Sequence, residues 1–152
     1  MKRADAGAWQ SFYMQLNGRF GTFLLGDPDA KTIQGSATGT MSASADQDVG
    51  AYDITVDGLN ASQSTAFKKG DYVQFGSASA SKLHMIVADI STNGSGEATL
   101  QIEPPLKTAI TNNDVITYSN TKAVMRMDAN DLGWNANNVS LYGISFSCTE
   151  AL

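Results

Sequence analysis

The sequence has very few of the residues from which catalytic and metal sites are usually built. Among its 152 residues there is one cysteine, Cys148, and one histidine, His84. A single cysteine excludes an internal disulfide, and with no second histidine the chain lacks a zinc set of the Cys/His kind. We therefore expect Cys148 to be a small buried hydrophobic residue in the last strand. We expect His84, within KLHMIV, to have a partly buried structural role.

Motifs typical of enzymes are also lacking. There is no glycine-flanked nucleophile motif, and Asn93-Gly94-Ser95-Gly96, without the lysine of a phosphate loop, is interpreted as a hairpin turn. The acidic turn Asp27-Pro28-Asp29 does not match a calcium-binding register, and no pair of acids stands out as a glycosidase pair. Four further aspartates lie loosely together, at Asp46, Asp48, Asp53 and Asp57. We predict no catalytic, cofactor-binding or metal residues and a protein that is not an enzyme.

Charge is scarce, and positive charge is scarcer. Charged residues make up 16% of the chain, whereas about 25% is typical. The net charge is −5 and the densest basic pair is Lys68-Lys69. Phosphate binding needs clustered lysine and arginine, so we predict no specific binding of nucleic acid. Fewer charges also favour a surface that neighbouring molecules partly cover.

Long apolar runs are missing as well. No stretch approaches the roughly 20 apolar residues that cross a bilayer, so no membrane span is predicted. Nor does a basic, then apolar, then small-residue leader for secretion follow Met1. Together with the single cysteine, this favours a protein that folds in a reducing cytosol.

Apolar residues are concentrated close to Met1. They recur at i, i+3, i+4 and i+7, at Trp9, Phe12, Tyr13 and Leu16. This spacing predicts a helix from about Arg3 to Asn17, which Asn17-Gly18 ends. Phe20 to Leu25 follows as a strand with apolar residues on both faces, and we expect it to be covered on both sides.

The middle of the chain predicts short strands separated by turns. Gln34 to Asp48 is rich in glycine, serine, threonine and alanine, with Met41 as almost its only apolar anchor. Five predicted strands follow, at Tyr52–Asp57, YVQFG, KLHMIVADI, EATLQIEPP and DVITYS. KLHMIVADI is apolar on both faces and is predicted to be central. Pro104-Pro105 is predicted to end the strand in EATLQIEPP, because proline cannot donate to a sheet. Such spacing is typical of a small barrel or sandwich.

The flanking segments differ from this middle part. AVMRMDA and VSLYGISFSCTEAL bracket the loop NDLGWNANN. Tyr142, Ile144, Phe146 and Cys148 alternate, which predicts one apolar face of the last strand. We predict a discontinuous module of residues 1–32 plus 122–152, with an all-β module of residues 33–121 inserted into it.

Three stretches carry a resemblance to a known family. They are MKRADAGAWQSFYMQLNGRFGTFLLGDPDAKT, KKGDYVQFG…KLHMIVADISTNGSGEATLQIEPPLKT and DLGWNANNVSLYGISFSCTEAL. Together they resemble distal tail proteins, small structural proteins of the tail tip of tailed bacteriophages. The resemblance implies a mainly β fold: a tail-tube-like β-sandwich with one N-terminal α-helix and an inserted small β-barrel or sandwich module. Comparable members begin further upstream, so we expect an upstream start or cover from another chain.

The resemblance also implies a function and partners. It implies a viral structural protein of the virion tail, made in the bacterial host cytoplasm, that forms a hexameric ring in the baseplate between the tail tube and hub proteins. The genome would pass through the ring, whose acidic wall would not retain phosphate. The inserted module would face fibres or host glycans. Two alternatives stay open: another tail ring protein (tube, terminator or connector), and a stand-alone carbohydrate-binding β-module.

Ring formation would bring apolar side chains of one copy against the next. The candidate subunit-interface residues are Trp9, Phe12, Tyr13, Leu16, Phe20, Trp134 and Tyr142. The helix residues among them have a second interpretation, as core of their own subunit. Trp134 has two others, as a loop anchor and as a surface for glycan stacking.

Overall fold

The protein is mainly β with one N-terminal helix. The computed structural model describes residues 1–130, 133–137 and 141–151. The chain divides into two compact units, which we name by their place in the sequence: a terminal unit of residues 1–24 and 124–152, and a central unit of residues 25–123. The assignment of these units to a ring module and an inserted module stays a prediction.

The elements follow one another in a simple order. The helix α1 spans Arg3–Leu16, a 3₁₀ turn spans Ala78–Ala80, and the strands are β1 (Thr22–Leu25), β2 (Gly39–Ala43), β3 (Asp53–Leu59), β4 (Tyr72–Phe75), β5 (Lys82–Ile86), β6 (Ala98–Glu103), β7 (Ala123–Met127), β8 (Trp134–Ala136), β9 (Tyr142–Ile144) and β10 (Cys148–Glu150).

The predicted helix is confirmed, and so is its stop signal. Asn17 lies in the left-handed region, with φ 51° and ψ 49°, and its N–H donates to the Met14 carbonyl. The apolar spacing buries Tyr13 and Leu16 on one side of α1. The helix therefore forms for the reason its sequence gives, an apolar face followed by residues that tolerate a left-handed turn.

The terminal unit contains two small sheets. One has the order β1-β7-β10, and the other pairs β8 with β9. β7 and β10 are antiparallel, with Met127 opposite Cys148, and in the second sheet Trp134 lies opposite Ile144. The prediction of one continuous last strand is therefore wrong. Residues 142–150 form two strands because each end of the segment pairs with a different partner.

The strand after the helix also differs from its prediction. It begins at Thr22, and most of its side chains are exposed, so the expected cover on both faces is not supplied by the described part of the chain. Phe20 lies outside it, in the turn that ends α1, where the Gly21 N–H donates to the Leu16 carbonyl at 2.7 Å. The turn uses residues that the apolar pattern assigned to the strand.

The central unit is built on one antiparallel sheet of order β2-β3-β6-β5-β4. Ile54 and Val56 of β3 lie opposite Leu100 and Ala98 of β6, and Ile54, Val56 and Leu100 are buried. Tyr52, which the alternation in sequence places on the same face, precedes β3 and is 54% exposed, so that part of the prediction is wrong. The sheet curls, because the segment after residue 112 bridges both of its edge strands. Val115 pairs with β2 and Thr117 with β4.

Two predictions for the central unit need correction. DVITYS makes these isolated bridges and is not a full strand. Conversely, β2 lies in the segment rich in small residues, where Met41 is almost the only apolar anchor; Met41 is indeed buried. The first five residues of KLHMIVADI form the interior strand β5. Met85 in this strand and Val87 after it are exposed.

The turns of the central unit follow their sequences. β6 ends at Glu103, directly before Pro104-Pro105, as predicted. The Asn93 side-chain oxygen accepts hydrogen bonds from the N–H groups of Ser95 and Glu97, so the expected turn into β6 is present. Where the unit begins and ends, the Asn120 N–H donates to the Lys31 carbonyl at 2.7 Å. Its incoming and outgoing segments are thus held together.

Candidate functional site

Aromatic rings form a continuous cluster in the terminal unit. Its members are Trp9, Phe12, Tyr13, Phe23 and Phe146. The centroids of the Tyr13 and Phe146 rings are 5.5 Å apart in an edge-to-face arrangement, and those of Trp9 and Phe146 are 6.1 Å apart. The helix supplies three of the five rings because its apolar spacing places them on one face.

Part of this aromatic cluster is buried by other residues of the same chain. Tyr13 is 1% exposed and Leu16 is also buried, as the core interpretation of the helix requires. The Tyr13 hydroxyl is buried without a hydrogen-bond partner among the described residues. Burial raises the pKa of this phenol above its ordinary value of 10.0, because the charged form is poorly solvated there.

The other candidate interface residues lie at or near the surface. Trp9 is 42% exposed, Phe20 87% and Trp134 37%, and Phe12 and Tyr142 are half-buried. Trp134, expected in a loop, is the first residue of β8. Of the large hydrophobic side chains that are described as exposed, eight belong to the terminal unit and six to the central unit. The shorter unit thus leaves more apolar side chains in water.

The turn that carries Phe20 is fixed by hydrogen bonds. The Gly21 N–H bonds the end of α1, and the Arg19 N–H donates to the Asn130 side-chain oxygen at 2.9 Å. Gly18 has φ +63°, and a Cβ there would lie 2.6 Å from that same oxygen. A side chain at position 18 would crowd Asn130 and need a left-handed backbone, so glycine is strongly favoured there. Phe20 follows in the same turn and is exposed.

A cleft of about 420 Å³ lies in the same unit. Its lining is mixed aromatic, aliphatic and small polar: Tyr13, Met127, Ala129, Gly133, Ser145, Phe146 and Ser147. Asp128, between two lining residues, is exposed, and its N–H donates to the Ser147 carbonyl. The sequence offered no signal for this cleft, because residues far apart in the chain form it.

The net charge is unevenly divided. The central unit has six lysines against eleven acidic residues, which accounts for the whole net charge of −5, and the terminal unit has four charges of each sign. An acidic channel wall, expected for a ring of the terminal unit, is therefore not supported by that unit's net charge. Copies of the terminal unit would meet without net repulsion.

His84 and Cys148 occupy different environments. His84 is buried in β5, with its Nδ1 2.7 Å from the Pro104 carbonyl oxygen and its ring edge-to-face with Phe75. Cys148 is only half-buried, so its predicted full burial is wrong. Burial and the nearby Asp128 carboxylate both raise the pKa of its thiol above 9.0. A raised pKa makes a cysteine a poorer nucleophile at neutral pH.

A second cleft, of about 350 Å³, lies in the central unit beside His84 and Lys82. Asp71, the one carboxylate that is buried among the described residues, is used structurally: it accepts hydrogen bonds from the N–H groups of Gln34, Gly35 and Lys68. In the described ranges, no three His, Cys, Asp or Glu side chains are grouped as a metal site.

Within residues 1–130, 133–137 and 141–151, no helix has the length and apolar character that crossing a membrane requires. A scan against protein-family models and a search of curated proteins each find no match to the sequence.

Proposed function

We propose that the chain is a structural component of a bacteriophage tail tip, a subunit of the distal tail protein kind that forms a ring between the tail tube and the hub. The proposal rests on the three stretches that resemble that family. The observation that carries it furthest is the apolar surface of the terminal unit, with Trp9 and Phe20 in water. Exposed aromatics of this kind are typical anchors of subunit interfaces.

The sheet edges of the terminal unit support the same proposal. In the order β1-β7-β10, β1 and β10 have no further strand beside them among the described residues. Open edges offer N–H and C=O groups that a neighbouring copy can pair with, and a closed ring leaves no edge free. Assembly would therefore cover the apolar side chains and the unpaired edges together.

The experiment is to determine the mass and form of the full chain, alone and mixed with tube and hub proteins of the same phage. Light scattering and cryo-electron microscopy should give hexameric rings with an axial opening. Trp9→Ala should weaken ring formation, whereas Tyr52→Ala, which removes an exposed aromatic from the central unit, should not. A chain that stays monomeric both alone and with those proteins would contradict the proposal.

Trp134 supports one rival, a carbohydrate-binding β-module that acts alone. The side chain is 37% exposed and lies on a short strand, where a sugar ring can stack on its indole. Glycan-array binding by a stable monomer, lost in Trp134→Ala, would favour this rival over the ring. A tube or terminator position in the tail is separated from a distal one by imaging the particle.

A further inference from the structure

We propose that Phe20 of one copy docks in the terminal-unit cleft of another copy, guided by Arg19 and Asp128. This contact rests on the proposed assembly and names the residues that would form it. Phe20 and the cleft belong to the same unit, so each copy carries both halves of the contact. Such a pair of surfaces joins copies head to tail and closes a ring when the rotation between copies permits.

Phe20 has the properties of an anchor residue. It is the most exposed of the described large hydrophobic side chains, at 87%, yet the backbone beneath it is held by the bonds to Leu16 and Asn130. Because this backbone is already hydrogen-bonded, docking would order chiefly the Phe20 side chain, and a pre-organised backbone lowers the cost of binding. Large aromatic side chains are typical anchors of interfaces.

The cleft has room for a phenyl ring, and part of its lining is apolar. A closed apolar cavity of about 150 Å³ can hold benzene, and this open cleft has about 420 Å³. Met127 and Phe146 supply apolar contact, and Ser145 and Ser147 supply polar groups at the same surface. An aromatic side chain and the backbone of its turn would both find partners there.

Charges beside the two halves are complementary. Arg19 precedes Phe20 and is exposed, and Asp128 lies between the lining residues Met127 and Ala129 and is exposed too. Neither has an ion-pair partner within the described ranges. Opposite charges at the two halves would favour the contact and orient an incoming copy.

The first test is Phe20→Ala, with Tyr52→Ala as the control that removes an exposed aromatic elsewhere. Phe20→Ala should weaken self-association at least about thirtyfold, equivalent to about 2 kcal/mol, measured by sedimentation over a dilution series. Its melting temperature should not fall, because an exposed side chain adds little to folding. Equal association of Phe20→Ala and the parent would overturn this contact and leave the ring proposal standing.

The second test exchanges the charges and mixes two chains. Arg19→Asp and Asp128→Arg should each associate more weakly than the parent, because each chain alone meets a like charge at the contact. A mixture of the two should recover association, since alternating copies restore an opposite pair at every contact. No recovery on mixing would overturn the Arg19–Asp128 assignment, as would a parent that never self-associates. Recovery in open chains or dimers would uphold this contact and contradict the ring.

Discussion

The central unit closes a core of seventeen buried hydrophobic residues, whereas the buried cluster of the terminal unit has three among the residues described. The central unit also carries all of the net negative charge. Such a unit resembles an ordinary water-facing domain. The terminal unit is electrically neutral and leaves Trp9, Phe20 and Trp134 in water. One chain can thus contain a region stabilised by its own core and another that leaves large apolar side chains exposed, as surfaces suited to association do.

The largest expected difference between the two units is in the loss of unfolding free energy when one phenylalanine ring is removed from each. Phe67 is fully buried, so Phe67→Ala should cost about 3–5 kcal/mol of unfolding free energy, because it leaves a cavity. Phe146 is 37% exposed, so Phe146→Ala should cost only about 1 kcal/mol. Both tryptophans belong to the terminal unit, so urea unfolding followed by their fluorescence and by circular dichroism separates the units. Equal losses would remove the distinction.

A subtler contrast uses two nearly isosteric changes at buried polar groups. Asp71→Asn places an amide NH₂ where the carboxylate accepts backbone N–H groups, so it should cost about 2–3 kcal/mol. Tyr13→Phe removes a hydroxyl that has no described partner, so stability should hold or rise by up to about 1 kcal/mol. The same unfolding experiment measures both. A large loss in Tyr13→Phe would mean that the hydroxyl has a partner after all.

The smallest effect concerns pH. Cys148 and Tyr13 keep their protons longer in the folded terminal unit than in the unfolded chain, because burial raises the pKa of each. The contribution of these two groups to stability should therefore be constant below pH 9.0, the ordinary value for the thiol, and stability should fall as pH rises through the raised pKa values. Cys148 should also react with a disulfide reagent more slowly than free cysteine near that pH. Cys148→Ala should remove part of the alkaline loss; an unchanged profile would contradict the shift.

Much of the fold could be predicted from local pattern. The 3.6-residue period of apolar residues predicted α1. The alternation of apolar with polar residues predicted two strands of the central sheet, with Ile54 and Val56 on one face of β3 and Leu100 and Ile102 on one face of β6. Strand β2 was missed because its small residues carry little periodic signal, and its pairing with β3 comes from the rest of the sheet. The alternation of residues 142–148 predicts one strand, because it does not show that the first part of the segment pairs with β8 and the last part with β7.

Less of the candidate site could be predicted. The apolar spacing of the helix placed Trp9 and Tyr13 on one face but did not show which of them would be buried: Tyr13 is buried and Trp9 is exposed. Phe20 was assigned to a strand because the sequence around it is apolar. What exposes it is a turn bonded to Asn130, 111 positions from Arg19. No local pattern contains a contact of that separation.

The hydrogen bond from Asn120 to Lys31 has an evolutionary consequence. It joins the two ends of the central unit, and a unit whose ends adjoin can be exchanged for another without altering the chain on either side. A graft of a different small domain between those ends should leave the terminal unit able to fold. Relatives with the same flanking segments could then differ entirely in what they carry between them.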